Sequence, residues 1–163
     1  MTDFEALYTH YSPDIFRFAL YLCGNRAEAE DIASETFARA WNASGGIRAA
    51  TAKAYLFTIA RNCYLEGRRR AGATHAQLDA GMPDSAAGPY ADAEGRMELD
   101  RVLRVLQQMP ELDRTVLLLH VQEGMPYQAI ADTVGLSLPA VKVRIHRARH
   151  KLTQWRIAQE VKE

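Results

Sequence analysis

Apolar residues recur along most of this chain at spacings of three and four, the period of an amphipathic helix. Phe4, Leu7, Tyr8 and Tyr11 precede Ser12-Pro13, and Ile15, Phe16, Ala19, Leu20 and Leu22 follow it. Proline fits the first turn of a helix, so this stretch predicts two helices across residues 3–23, divided at Pro13. Gly24-Asn25 ends the second. A third, from about Arg26 to Asn42, would bury Ile32, Ala33, Phe37 and either Ala40 or Trp41. After Ser44-Gly45-Gly46 a fourth runs from about Thr51 to Arg70, with an apolar stripe of Leu56, Ile59, Ala60, Cys63 and Tyr64. Residues 71–92, AGATHAQLDAGMPDSAAGPYAD, hold no sustained period and read as a flexible tether. The helical period resumes at Ala93, with Met97, Leu99, Val102, Leu103, Val105, Leu106 and Met109 before Pro110, and again from Leu112 to Val121 before Gly124.

The stretch from Pro126 to Leu152, PYQAIADTVGLSLPAVKVRIHRARHKL, predicts two short helices joined by Gly135-Leu136-Ser137. Ile130, Ala131 and Val134 form one apolar stripe, Gly135 suits a left-handed cap, and Ser137 suits the next N-cap. Val141, Ile145, Ala148 and Leu152 then face inward, while Pro139, Val143, His146, Arg147 and His150 collect opposite, flanked by Lys142, Arg144, Arg149 and Lys151. A helix that is apolar on one side and cationic on the other fits a DNA major groove, with flanking cations on phosphates. The fold expected is therefore all-α: two small helical domains joined by a flexible linker, the second a four-helix domain with a helix-turn-helix. The boundaries are residues 1–71, a linker at 72–92, and 93–163.

Charge changes the picture only when it is divided by segment. The net charge is zero, but residues 72–100 carry Asp79, Asp84, Asp92, Glu94, Glu98 and Asp100 against Arg96, while residues 136–156 carry six Lys or Arg and no acid. Cys23 and Cys63 form no C-x-x-C and sit inside apolar patterns, so they read as buried side chains suited to a reducing cytoplasm. The opening residues MTDFEALYTH resemble no export signal, and no run of 18 apolar residues occurs, so membrane insertion is not expected. No phosphate loop, H-E-x-x-H or nucleophile elbow is present, which argues against an enzyme. His146 and His150 lack a third ligand nearby, so neither metal nor cofactor is expected.

Two surfaces stay ambiguous on residues alone. Glu28, Asp31, Glu35 and Arg39 stack on one side of the third helix, as a solvated face or a docking face would. On the fourth helix Tyr55, Arg61, Asn62 and the Arg68-Arg69-Arg70 run lie off the apolar stripe. Aromatic, amide and cationic groups together suit melted nucleic acid, yet an arginine run also suits a helix C-terminus.

Three blocks in order resemble one family. AEAEDIASETFARAW (27–41) resembles the D-A-E-D-x-x-Q-E-T-F-x-R-A-W block of bacterial sigma factors of the extracytoplasmic-function type. AYLFTIARNCYLEGRRR (54–70) resembles their W-L-x-x-I-A-R-N-x-x-x-D-x-x-R-R, and the helix pair from Pro126 resembles their Y-x-E-I-A and G-x-S-x-G-T-V-K-S-R-L-H-R-A-R-x-x-L. The resemblance implies binding to core RNA polymerase, recognition of the minus thirty-five promoter element by the second domain, and melting of the minus ten element by the first. It implies that Glu28, Asp31, Glu35 and Arg39 dock the polymerase clamp helices, and that Tyr55, Arg61, Asn62, Arg68, Arg69 and Arg70 engage the minus ten element. On the last helix Lys142, Val143, His146 and Arg147 are assigned to base edges and Arg144, Arg149 and Lys151 to phosphates. An anti-sigma factor is the further expected partner. Tyr55 stands where the family has Trp, Glu66 for Asp, Ala129 for Glu, Val143 for Ser, and Pro139-Ala140 for Gly-Thr. Val143 cannot hydrogen-bond a base, which implies an altered promoter preference. The rival reading, a stand-alone dimeric helix-turn-helix regulator, leaves residues 27–70 unexplained.

Overall fold

A computed structural model of the chain describes residues 3–43, 51–74 and 93–162. Their regular structure is helical: α1 Asp3–Cys23, α2 Arg26–Asn42, α3 Ala52–Thr74, α4 Ala93–Gln107, α5 Glu111–Val121, α6 Tyr127–Val134 and α7 Leu138–Lys162. No helix among the described residues is long and apolar enough to cross a membrane. The expected loop at Ser44-Gly45-Gly46 lies outside the described residues. So does the expected linker at 72–92, apart from its first three residues, which continue α3.

The division expected at Pro13 does not occur, because α1 is one helix with Pro13 inside it. A proline within a helix removes a hydrogen bond and crowds the carbonyl four residues back, costing about 3 kcal/mol. The turns ahead of Pro13 are held from outside the helix. Phe4 meets Phe37 and Trp41 edge-on at 6.5 and 4.9 Å, and Tyr8 meets Phe37 at 4.9 Å. Three such contacts, at about 0.5–1.5 kcal/mol each beyond burial, are comparable with that cost.

Gly24 closes α1 at a φ of 76°, a left-handed conformation open to glycine at little cost. Asn25 then caps α2, its side chain accepting from the Glu28 N–H at 2.8 Å. In the core, Phe18 packs edge-on against Phe57 at 5.1 Å, and neither had been placed in an apolar stripe by spacing. Of the two candidates at the end of α2, Ala40 is buried and Trp41 is 64% exposed.

Both halves of the chain share one apolar cluster. It joins Ile15, Leu22 and Leu56 to Leu103, Leu119, Ile130 and Ile145. Helix α1 packs on α4 and α5 as well as on α2 and α3, and α3 packs on α6. Buried Arg114 links the halves, donating to the carbonyls of Leu106 and Met109 at 3.1 and 3.0 Å and to the Tyr64 hydroxyl at 2.7 Å.

Candidate nucleic-acid and polymerase interfaces

The helix-turn-helix forms as its turn chemistry dictates. Gly135 ends α6 at a φ of 74°, its N–H bonded to the Ala131 carbonyl at 2.9 Å, and the Ser137 hydroxyl accepts from the Ala140 N–H at 3.2 Å. Val141, Ile145 and Ala148 are buried, whereas Lys142, Val143, His146, Arg147, Arg149, His150 and Lys151 are exposed. The helix runs past Leu152 to Lys162, and Trp155, three residues on, is half-buried against the core.

Two of the cations on α7 are already paired with an acid. Arg144 donates to Asp113 at 2.9 Å, and Arg147 donates to the same carboxylate at 2.9 and 3.1 Å. Asp113 is 2% exposed at the start of α5. Burial alone would push its carboxyl up, but the guanidinium groups of Arg147 and Arg144 hold it below the usual carboxylate value. These pairs clamp α7 onto α5, a role that spacing on α7 had not suggested. Lys151 donates to the Gln108 carbonyl at 3.1 Å.

The minus ten candidates on α3 divide into two faces. Tyr55, Asn62 and Arg69 recur every seven residues, and all three are exposed. Arg61 and Arg68, also seven apart, meet acids instead. Arg61 donates to Glu111 of α5 at 2.9 and 3.2 Å, and Arg68 donates to Glu28 at 3.3 Å while its guanidinium sits 5.0 Å from the Tyr64 ring centroid. Arg70 lies 3.9 Å from Glu66.

On α2 the acidic stripe is tied down at both ends and open between. Glu28 meets Arg68, while Arg39 donates to Glu35 at 2.9 Å and to Glu66 at 2.5 Å. Glu66, which stands where the family has Asp, has its pKa lowered mainly by the hydrogen bonds from Arg39. Asp31 and Glu35 are exposed, and they share a groove with Leu103, Arg104 and Gln107 of α4. The Cys23 thiol at the end of that groove is pushed up to about 12 by burial and by Glu28, so it stays protonated and unreactive at neutral pH.

Residues missed by sequence reasoning are Glu111 and Asp113, which hold Arg61, Arg144 and Arg147, and Glu123, which accepts from Arg17 of α1 at 3.2 Å. The first two look in sequence like ordinary acids of a helix first turn, and their partners lie 31 to 50 residues away.

Comparison with known proteins follows the same division. Residues 7–74 match the model of Sigma-70 region 2, and residues 99–152 match that of Sigma-70, region 4. The chain is 34% identical over 150 residues to the ECF RNA polymerase sigma factor SigL of Mycobacterium tuberculosis, covering 88% of this chain and 83% of the relative. It is 30% identical over 155 residues to the RNA polymerase sigma factor CarQ of Myxococcus xanthus, covering 93% and 87%. Among solved structures, the sigma factor RpoE in complex with the anti-sigma factor NepR from Bartonella quintana superposes with a TM-score of 0.74 at 25% identity, over 94% of this chain and 96% of that one. CnrH in complex with the cytosolic domain of CnrY superposes at 0.71 and 26% identity, over 95% and 88%. A stand-alone helix-turn-helix regulator would account for the second matched segment alone. With both regions in order on the helices that carry the acidic and cationic faces, the chain belongs to the extracytoplasmic-function family of RNA polymerase sigma factors.

Proposed function

We propose that this sigma factor loads core RNA polymerase on the outward side of α2, melts the minus ten element on α3 and reads the minus thirty-five element with α7. Residues 1–71 and 93–163 serve as its two working domains, joined through 72–92. The observation that carries this reading is that each exposed charged face lies inside a matched block. Asp31, Glu35, Tyr55, Asn62 and Arg69 fall within 7–74, and Lys142, Val143, His146 and Arg149 fall within 99–152. The protein directs promoter-specific initiation and leaves phosphodiester chemistry to the polymerase, so it is not itself an enzyme. It works in the cytoplasm, and an anti-sigma factor is its expected regulator, as NepR is the partner of the structurally similar RpoE.

Transcription from a promoter library by core polymerase carrying this chain is the direct test. No transcript above that of core polymerase alone would sink the reading.

Exposing a base from duplex DNA costs a few kcal/mol, which the stripe Tyr55–Asn62–Arg69 recovers by stacking, hydrogen bonding and charge. Asn62→Ala is therefore expected to slow open-complex formation roughly tenfold, in line with the loss of one hydrogen bond to a base, while changing initial promoter binding little. Rapid-mixing fluorescence on a labelled minus ten element separates the two steps. Equal losses in both would indicate plain electrostatic contact.

Val143, 60% exposed on the face of α7 away from the core, offers a base only methyl contact and favours a thymine. Val143→Ser should flatten the preference for that thymine, as read from a randomised minus thirty-five library. Arg147→Ala is a less clean variant for this purpose, because it also removes a clamp on Asp113. Lys151→Ala should weaken all sequences alike, lowering the salt slope by about one unit.

A further inference from the structure

Glu66 is the only acid in α3, and it stands beside the stripe assigned to the minus ten element. It lies four residues past Asn62 and three before Arg69, so the three share one side of the helix. A bare carboxylate there would repel the phosphates of a displaced strand, and at spacings of three and four it would compete with them for Arg69 and Arg70. Arg70 already lies 3.9 Å from it.

The carboxylate is not bare. Arg39, in the last turn of α2, donates to both of its oxygens, from Nη2 at 2.5 Å and from Nη1 at 3.3 Å. Its Nε donates to Glu35 at 2.9 Å, so the planar guanidinium is held from both helices. A lone cation would be misplaced in a stripe whose acids are built to meet a cationic partner. Shared between two carboxylates, the charge of Arg39 is used up inside the protein.

We propose that Arg39 is a positioning residue for minus ten DNA rather than a polymerase contact: it masks the Glu66 carboxylate and so keeps negative charge off the Tyr55–Asn62–Arg69 stripe. The proposal rests on the assignment of α3 to the minus ten element. Wild type carries a pair of zero net charge at this place, Arg39→Ala leaves one negative charge, and Arg39→Ala with Glu66→Gln restores zero without restoring the pair. A mask and a structural brace therefore rank these variants differently.

The test uses the full chain, assembled with saturating core polymerase, and a fluorescent DNA from the promoter library whose minus ten segment is left single-stranded. Arg39→Ala is expected to weaken DNA binding roughly fivefold at low salt, the gap narrowing as salt rises, and the double variant to return to within about twofold of wild type. Glu66→Gln alone should bind at least as tightly as wild type. A double variant or a Glu66→Gln variant as weak as Arg39→Ala overturns the proposal, because a brace is lost in all three. Arg26→Ala removes the same charge from a side chain that sits 6.0 Å from the Phe16 ring of α1, and an equal loss there also overturns it. If Arg39→Ala loses helical circular dichroism, Arg39→Gln takes its place with the same expectations. Asn62→Ala separates the mask from the reading beneath it. Undiminished binding of this unpaired DNA by Asn62→Ala sinks the assignment of α3 and the mask with it, whereas a loss in Asn62→Ala with none in Arg39→Ala sinks the mask alone.

Discussion

Reversing Asp31 and Glu35 to lysine is expected to abolish co-purification with core polymerase and leave the helical circular dichroism unchanged. Both carboxylates are exposed on one side of α2 within the region 2 match. Their reversal would set cations against whatever cationic surface the acidic stripe is built to meet. Like charges brought together at an interface cost several kcal/mol, so the affinity should fall by on the order of 100-fold or more. The fold should scarcely register the change. Asp31 makes no contribution to the buried core, and the Glu35–Arg39 pair has 53% and 34% of its side-chain surfaces exposed, where such pairs contribute little. Arg39 also keeps Glu66. Undiminished co-purification of the double reversal would identify the stripe as a solvated face.

Asp113→Ala carries the second large effect, and it acts on stability and on DNA binding together. The substitution leaves Arg144, 28% exposed, without its acceptor and unclamps α7 from α5. Losing one partner of a charged, partly buried hydrogen bond costs about 2 kcal/mol. For a chain of this size that lowers Tm by roughly 4–8 °C. Loss of the clamp should also weaken minus thirty-five binding across all sequences, since the orientation of the whole helix is affected rather than one base contact. Calorimetry and a binding titration on duplex DNA check the two effects, and a variant with wild-type Tm would show that the clamp is dispensable.

The pH dependence of this contribution has a definite sign. The folded-state pKa of Asp113 is depressed below its ordinary value of 3.8, so the stabilisation is fully present above about that pH. It is lost as pH falls through the lower folded value. Glu123 behaves oppositely: burial raises its pKa above 4.5, Arg17 only partly opposing, so its charged form costs stability at neutral pH. In acid titrations of the wild type and Asp113→Ala, the gap between the two curves should therefore close only below about pH 3.8.

Apart from the division expected at Pro13, sequence by itself determined where the helices lie and the turn chemistry, because both depend on neighbours close along the chain. Gly135 and Ser137 cap where their conformational freedom and side-chain oxygen predict, and Val141, Ile145 and Ala148 turn inward as their spacing requires. The family blocks were equally legible, since they are strings of adjacent residues.

What tertiary structure alone decided is which residue on each helix meets which residue on another. Spacing could not show that α1 passes unbroken through Pro13, because the aromatic contacts that offset its cost come from α2. Nor could it show that Arg61 and Arg68 turn from Asn62 and Arg69 toward acids, or that Arg144 and Arg147 converge on Asp113. A helical period orders residues around one axis. Whether an exposed cation is free for DNA or held by a carboxylate depends on how the axes pack, and contacts across 31 to 106 residues leave no periodic trace in the chain.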